Sequence, residues 1–276
     1  MFILKKFNTV KRFLKIIFLE IHDLYDCVSG KRKSHIPPTR LMFDGPASLD
    51  DFLKSGDVFM SSFVQILHPE PSIRVLDIGS GIGRHTLPLT KLIDSHGRYD
   101  GIEIVIAGVK WCRKHISNRF PNFRFQHVDI YNGAYNPRGK ILPEEFVFPF
   151  EDNSFDIVMA LSVFTHMTPD SVQNYLKESY RVLKPGGKAY FTYFLINDDS
   201  KKRLGDQNNT QPFEQTPDGY WTTNHQIPEA AIAYDEDVVR RFYSDSNLKI
   251  SKIYYGSWCG RKKFTDYQDI VLASKK

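Results

Sequence analysis

Residues 75–84 read Val-Leu-Asp-Ile-Gly-Ser-Gly-Ile-Gly-Arg. A short apolar run ending in an acid and followed by three alternate glycines suits a strand that turns sharply into a helix. Glycines at such a junction let a ligand approach the backbone. Glu103 ends the next apolar run, 26 residues after Asp77, where a carboxylate can accept two hydrogen bonds from ribose hydroxyls. Dinucleotide loops usually write G-x-G-x-x-G. Here the pattern is Asp77-x-Gly79-x-Gly81-x-Gly83, and an acid at the strand end suits a ligand carrying an ammonium group rather than a pyrophosphate. The second chemistry-bearing segment is Ser162–His166, just after a fourth apolar run. His166 falls at the C-terminal end of that run, where ligands bind in open α/β sheets, and an imidazole can remove a proton near neutrality. The other reading is a histidine that only shapes the pocket.

The elements that must hold these residues follow from hydrophobic period. From residue 73 the chain alternates strands and helices: strands at 73–78, 98–104, 123–128, 155–161 and 188–196, with helices at 86–93, 107–118 and 171–183. Such alternation implies a parallel, doubly wound sheet. A helix at 235–246 precedes two strands, 248–255 and 267–274, separated only by a loop and therefore expected to pair antiparallel. Residues 49–67 have helical spacing, and 197–233 read as a polar loop. Upstream, Ile3, Phe7, Val10, Leu14, Ile17, Ile21 and Leu24 form a one-sided stripe, and Gly30 with Pro37-Pro38 ends that helix.

Composition sets limits. The chain has 276 residues, 41% hydrophobic and 25% charged, an ordinary globular balance. Its +5 charge is uneven: residues 1–40 hold nine basic against three acidic residues, which leaves the remaining 236 at −1. A nucleic-acid partner is therefore not expected of the body. Cys27, Cys112 and Cys259 are few and scattered, so neither a disulfide framework nor a metal site is expected, and a reducing cytoplasm fits. Lysines interrupt every apolar run near the start, so no signal peptide or membrane span is expected. Two regions result, a basic arm at 1–40 and a catalytic-sized body at 41–276.

Over about residues 40–276 the chain resembles the class I S-adenosylmethionine-dependent methyltransferases. Asp77, Gly79, Gly81 and Gly83 match the family's first motif, which meets the methionine moiety; Glu103 matches the ribose-binding acid. Val128-Asp129-Ile130 matches the strand-end acid that meets the adenine amino group. Phe155–Val158 and Arg181–Gly187 match the fourth- and fifth-strand signatures. More closely, the chain is similar to bacterial stand-alone small-molecule methyltransferases, which carry Ser-Val-Phe-Thr-His (here Ser162–His166) and a late Gly-Ser-Trp-Cys-Gly-Arg (here Gly256–Arg261) followed by Tyr267-Gln268-Asp269.

The resemblance implies a mostly parallel seven-stranded sheet with an antiparallel last strand, and S-adenosylmethionine as cofactor. It also implies in-line methyl transfer to a small-molecule acceptor, with a hydroxyl as the expected nucleophile and His166 as its base. Cofactor contacts are expected from Asp77, Gly79, Ser80, Gly81, Gly83, Arg84, Glu103, Ile104, Asp129, Ile130 and Ser162. Asp129 has a second reading as a turn cap with Asn132, and Arg84 a second reading as a solvated residue. Tyr131, Tyr135, Phe194, Tyr220, Trp221, Trp258 and Arg261 are expected to line the acceptor pocket. Rival readings are a nucleic-acid or protein methyltransferase using the basic arm, an NAD-dependent dehydrogenase and a non-catalytic cofactor-binding partner protein. The arm's helix is expected to pack as a lid, pair with a second copy through residues 1–28, or touch an anionic membrane.

Overall fold

The computed structural model describes residues 17, 19–43, 45 and 48–276. The expected arm helix therefore lies partly outside the described residues, and so do its stripe positions Ile3 through Leu14. Its described end, residues 19–28 (α1), is helical. The chain then turns at 29–43 and enters α2, Leu49–Leu67. The Ser48 side chain accepts the Asp51 amide at 3.1 Å, and Asp50 and Asp51 fill the first turn, where carboxylates are favoured by the helix dipole.

The body is a sheet of seven strands, β1 (Arg74–Ile78), β2 (Arg98–Glu103), β3 (Phe123–His127), β4 (Phe155–Ala160), β5 (Leu183–Tyr193), β10 (Leu248–Tyr254) and β11 (Asp269–Lys275), in the order β10-β11-β5-β4-β1-β2-β3. Only β11 runs antiparallel, paired on both sides by β10 and β5. Side chains alternate between two cores. Val75, Ile157 and Met159 join one with Phe63, Val109 and Cys112; Leu76, Ile78, Val158 and Ala160 join the other with Leu176 and Val182. Burial on both faces is why these strands read as continuous apolar runs rather than alternating ones.

The sheet is wound by α3 (Thr86–Leu89), α4 (Ile106–Cys112), α5 (Pro169–Val182), α6 (Asp198–Arg203) and α7 (Glu236–Asp245). Two helices differ from the sequence expectation. The helix expected to reach Ile93 stops at Leu89; beyond it the bonding is mixed, with Lys91 and Leu92 reaching back three residues to Pro88 and Leu89 while Thr90 and Ile93 reach back four. The helix expected over 107–118 widens into a π-turn at Arg113–Ser117, where Arg113 Nε donates to the Phe125 carbonyl at 2.7 Å.

The stretch 197–233 is not a plain loop. With its flanks it builds a second sheet in the order β6-β9-β8-β7, from β6 (Leu195–Ile196), β7 (Glu214–Gln215), β8 (Trp221–Thr222) and β9 (Ile232–Asp235). Strands of two residues carry no readable alternation. No described helix is long and apolar enough to cross a membrane.

Candidate active site

The strand order reverses at β1, between β4 and β2, and open α/β sheets bind ligands beyond the strand ends at such a point. A cleft of about 900 Å³, counting its open mouth, lies there. Gly79, Gly81, Arg84, Glu103, Ile104, Ile130, Tyr131, Tyr135, Ser162 and His166 all line it.

Glu103 is the best-anchored polar group in the cleft. It is 6% exposed. Its Oε2 accepts the Gly81 amide at 2.8 Å and its Oε1 the Val105 amide at 2.7 Å. These bonds fix the orientation of both carboxylate oxygens. Gly79 turns the chain with φ +73°, and a Cβ there would sit 2.5 Å from Val163 Cγ2. Only glycine fits both demands.

Four expected cofactor residues lie behind the cleft wall. Asp77 is 1% exposed and accepts the Tyr99 hydroxyl, which also meets Thr86 Oγ1 at 2.8 Å. Burial and the Asp77 charge hold the Tyr99 phenol well above its ordinary pKa, so it stays a donor. Ser80 packs under Gly101, where an added Cβ would meet it at 2.8 Å. Gly83 faces α4 and the π-turn; a Cβ there would lie 2.7 Å from Ile116 Cδ1, so this glycine serves helix packing. Asp129 accepts Asn136 Nδ2 at 3.3 Å, and its carbonyl accepts the Lys140 and Ile141 amides. Its neighbours Val128 and Ile130, not its carboxylate, line the cleft. Tyr99→Phe should cost about 2 kcal/mol, since it takes a donor from a buried carboxylate. The expected readout is a melting temperature lowered by a few degrees; an unchanged one would remove Tyr99 as the support of Asp77.

His166 sits on a short 3-10 turn, Phe164–His166, after β4. Its Nδ1 lies 2.8 Å from the Glu229 carbonyl. A carbonyl oxygen only accepts, so the neutral ring carries its proton on Nδ1 and presents a lone pair on Nε2. Burial holds its pKa below 6.5, opposed by the Glu229 and Ala230 carbonyls. Tyr135 meets the ring edge-on at 5.2 Å, and Asn132 Nδ2 donates to the His166 carbonyl at 2.8 Å.

Ser162 adopts φ +59° without being glycine, a strained conformation that must be held by its surroundings. Its amide donates to Thr192 Oγ1 at 2.7 Å, and its hydroxyl accepts Gln268 Nε2 at 3.0 Å. The Ser162–His166 and Tyr267–Asp269 segments are thus parts of one support.

The structure does not bring Phe194, Tyr220, Trp221, Trp258 and Arg261 to this cleft. Phe194 and Trp258 belong to a separate cluster with Phe213, and Trp221 packs against it. Trp258 is fully buried, and its indole donates to Asp269 at 2.7 Å. Arg261 bonds Asp199 at 2.8 Å and Asp269 at 3.2 Å. Tyr220 is buried in the core that holds Leu76. Sequence reasoning placed them near the strand ends but could not see the apolar clusters and the buried Asp269 that hold them elsewhere.

The sequence reading missed Phe43, His85, Asn132 and Met167, which also line the cleft. His85 stands beside Arg84 in the loop; burial and that cation keep it neutral, well below its ordinary pKa. Phe43 comes from the irregular turn before α2 and has no periodic signal.

Residues 75–187 match the family model of a methyltransferase domain. The matched segment runs from β1 into β5 and carries the first-junction loop. Residues 75–187 form a class I S-adenosylmethionine-dependent methyltransferase domain. Over 121 residues the chain is 34% identical to an arsenite methyltransferase of Mus musculus, a match covering 43% of this chain and 30% of that protein. Over 124 residues it is 32% identical to a ubiquinone/menaquinone biosynthesis C-methyltransferase of Wigglesworthia glossinidia brevipalpis, covering 45% and 44%. The methyltransferase fold also aligns with the crystal structure of magnesium protoporphyrin IX methyltransferase from Synechocystis PCC 6803. There the TM-score is 0.52 at 14% identity, over 95% of this chain and 100% of that one. The first curated relatives are matched over only 30–35% of their own length.

The methyltransferase cleft fits S-adenosylmethionine. Gly79 and Gly81, both with positive φ, bring backbone without side chains to the cleft, Glu103 offers a fixed carboxylate, and Ile104, Val128 and Ile130 offer apolar walls for a planar ring. Among the described residues no group of three or more metal-ligating side chains is present.

Proposed function

We propose that this protein transfers a methyl group from S-adenosylmethionine to a hydroxyl of a small-molecule acceptor, with His166 as the base. When bound, S-adenosylmethionine supplies a methyl carbon already made electrophilic by its sulfonium. Glu103 holds the ribose, and the Gly79–Gly81 backbone admits the methionine end. His166 faces the same cleft with its proton held on Nδ1 by the Glu229 carbonyl, and this observation carries the reading. With the cofactor bound, His166 Nε2 would take the proton of an acceptor hydroxyl brought in line with the methyl group, whose transfer the sulfonium would drive. Tyr131 and Tyr135, both partly exposed at the cleft, give the acceptor an apolar wall with polar tips. A small-molecule acceptor is supported by the relatives, whose names specify arsenite and a biosynthetic quinone.

The test is turnover on a library of hydroxylated and amine compounds, read by release of S-adenosylhomocysteine and by mass of the product. Methyl ethers are the expected products. Methylation confined to amines would move the acceptor atom from oxygen to nitrogen and remove the need for His166 as base.

A further inference from the structure

The described end of α1 is inverted relative to an ordinary surface helix. Its carboxylates Asp23 and Asp26 are 5% and 1% exposed, whereas Ile21, Leu24, Tyr25 and Val28 are 64%, 65%, 68% and 81% exposed. The acidic face is tied to the turn that follows the helix and to the helix itself. Asp23 accepts the Thr39 amide at 2.7 Å, Arg32 donates to the Asp23 carbonyl at 3.3 Å, and Asp26 pairs with His22 at 3.2 Å. Ile17, 37% exposed, extends the stripe one turn upstream. Positions 17, 21, 24, 25 and 28 share one face of a helix. A contiguous exposed apolar stripe of this kind marks an interaction surface.

Charge selects the occupant. Residues 1–40 hold nine basic and three acidic residues, and two of the three acids, Asp23 and Asp26, are buried. Among the described residues beside the stripe, Lys31 and Lys33 are exposed. A second copy would bring an equally basic arm and repel it. Apolar side chains flanked by cations match the boundary between acyl chains and anionic headgroups. We propose that α1 docks this protein on an anionic lipid bilayer, with Ile21, Leu24, Tyr25 and Val28 entering the headgroup boundary. The proposal stands apart from the methyl-transfer reading, because docking is measured without turnover.

The test is co-sedimentation of the full chain with vesicles of phosphatidylcholine alone and of phosphatidylcholine with phosphatidylglycerol in equal parts. Binding should rise about tenfold or more on the anionic vesicles and weaken in high salt. The double variant Ile21→Asp/Leu24→Asp changes solvent-facing positions and should lose about tenfold or more. Phe264→Asp, at an exposed apolar residue elsewhere, should bind as the parent does. Failure to bind anionic vesicles would overturn the proposal, and so would binding that survives the double variant. A doubled mass in sedimentation, lost in the double variant and unaccompanied by vesicle binding, would assign the stripe to a second copy instead.

Discussion

Glu103→Ala should weaken binding of S-adenosylhomocysteine about a hundredfold, because two charge-assisted hydrogen bonds to ribose together contribute about 3 kcal/mol. The effect is expected to be large because the carboxylate is already in place before ligand arrives. The Gly81 and Val105 amides hold both oxygens in a nearly buried position. Removal also strips the Gly81 amide of its acceptor, so the loop that approaches the ligand loses an anchor at the same time. Calorimetric titration measures the change. An affinity within about threefold of the parent would take Glu103 off the ribose, since 3 kcal/mol corresponds to well over tenfold.

His166→Ala should lower kcat about a thousandfold, within the range of a lost general base, while cofactor affinity stays close to the parent's. The pH dependence has a definite sign. The base must be neutral, and neutral imidazole exists above its pKa. Burial holds that pKa below 6.5, so activity should be flat above pH 6.5 and fall only as pH drops through the lowered value. The same depression stabilises the folded protein above pH 6.5 and is lost as pH falls through the folded pKa. Steady-state rates across pH 5 to 8 with single-turnover controls measure this. Turnover that survives the substitution would mean that positioning alone suffices and would end the claim for His166.

Much of the site was legible because its chemistry depends on backbone conformation and strand-end position. Gly79 and Gly81 stand where left-handed turns are required, and Glu103 ends β2 beside them. The parallel strands were legible because burial on both faces leaves continuous apolar runs. The depth of Asp77 was not legible from its motif position: a buried tyrosine lies between it and the helix that follows. The burial of Trp258 and Arg261 away from the cleft was not legible for a related reason. Both looked like pocket residues in a late loop. Asp269, buried at the start of β11, instead gathers the Trp258 indole, the Arg261 guanidinium and the Gly256 and Leu195 amides. A buried carboxylate with that many donors is an anchor, and nothing in residue spacing distinguishes it from a ligand-binding acid. The Glu229 carbonyl that sets the His166 tautomer lies 63 residues away, on a segment whose strands are too short to read.

Isothermal titration of the parent chain with S-adenosylhomocysteine and, separately, with NAD tests most directly whether this cleft holds S-adenosylmethionine through Glu103. The expected result is saturable one-to-one binding of S-adenosylhomocysteine, about a hundredfold weaker in Glu103→Ala, and no binding of NAD. Binding of NAD with none of S-adenosylhomocysteine would contradict it.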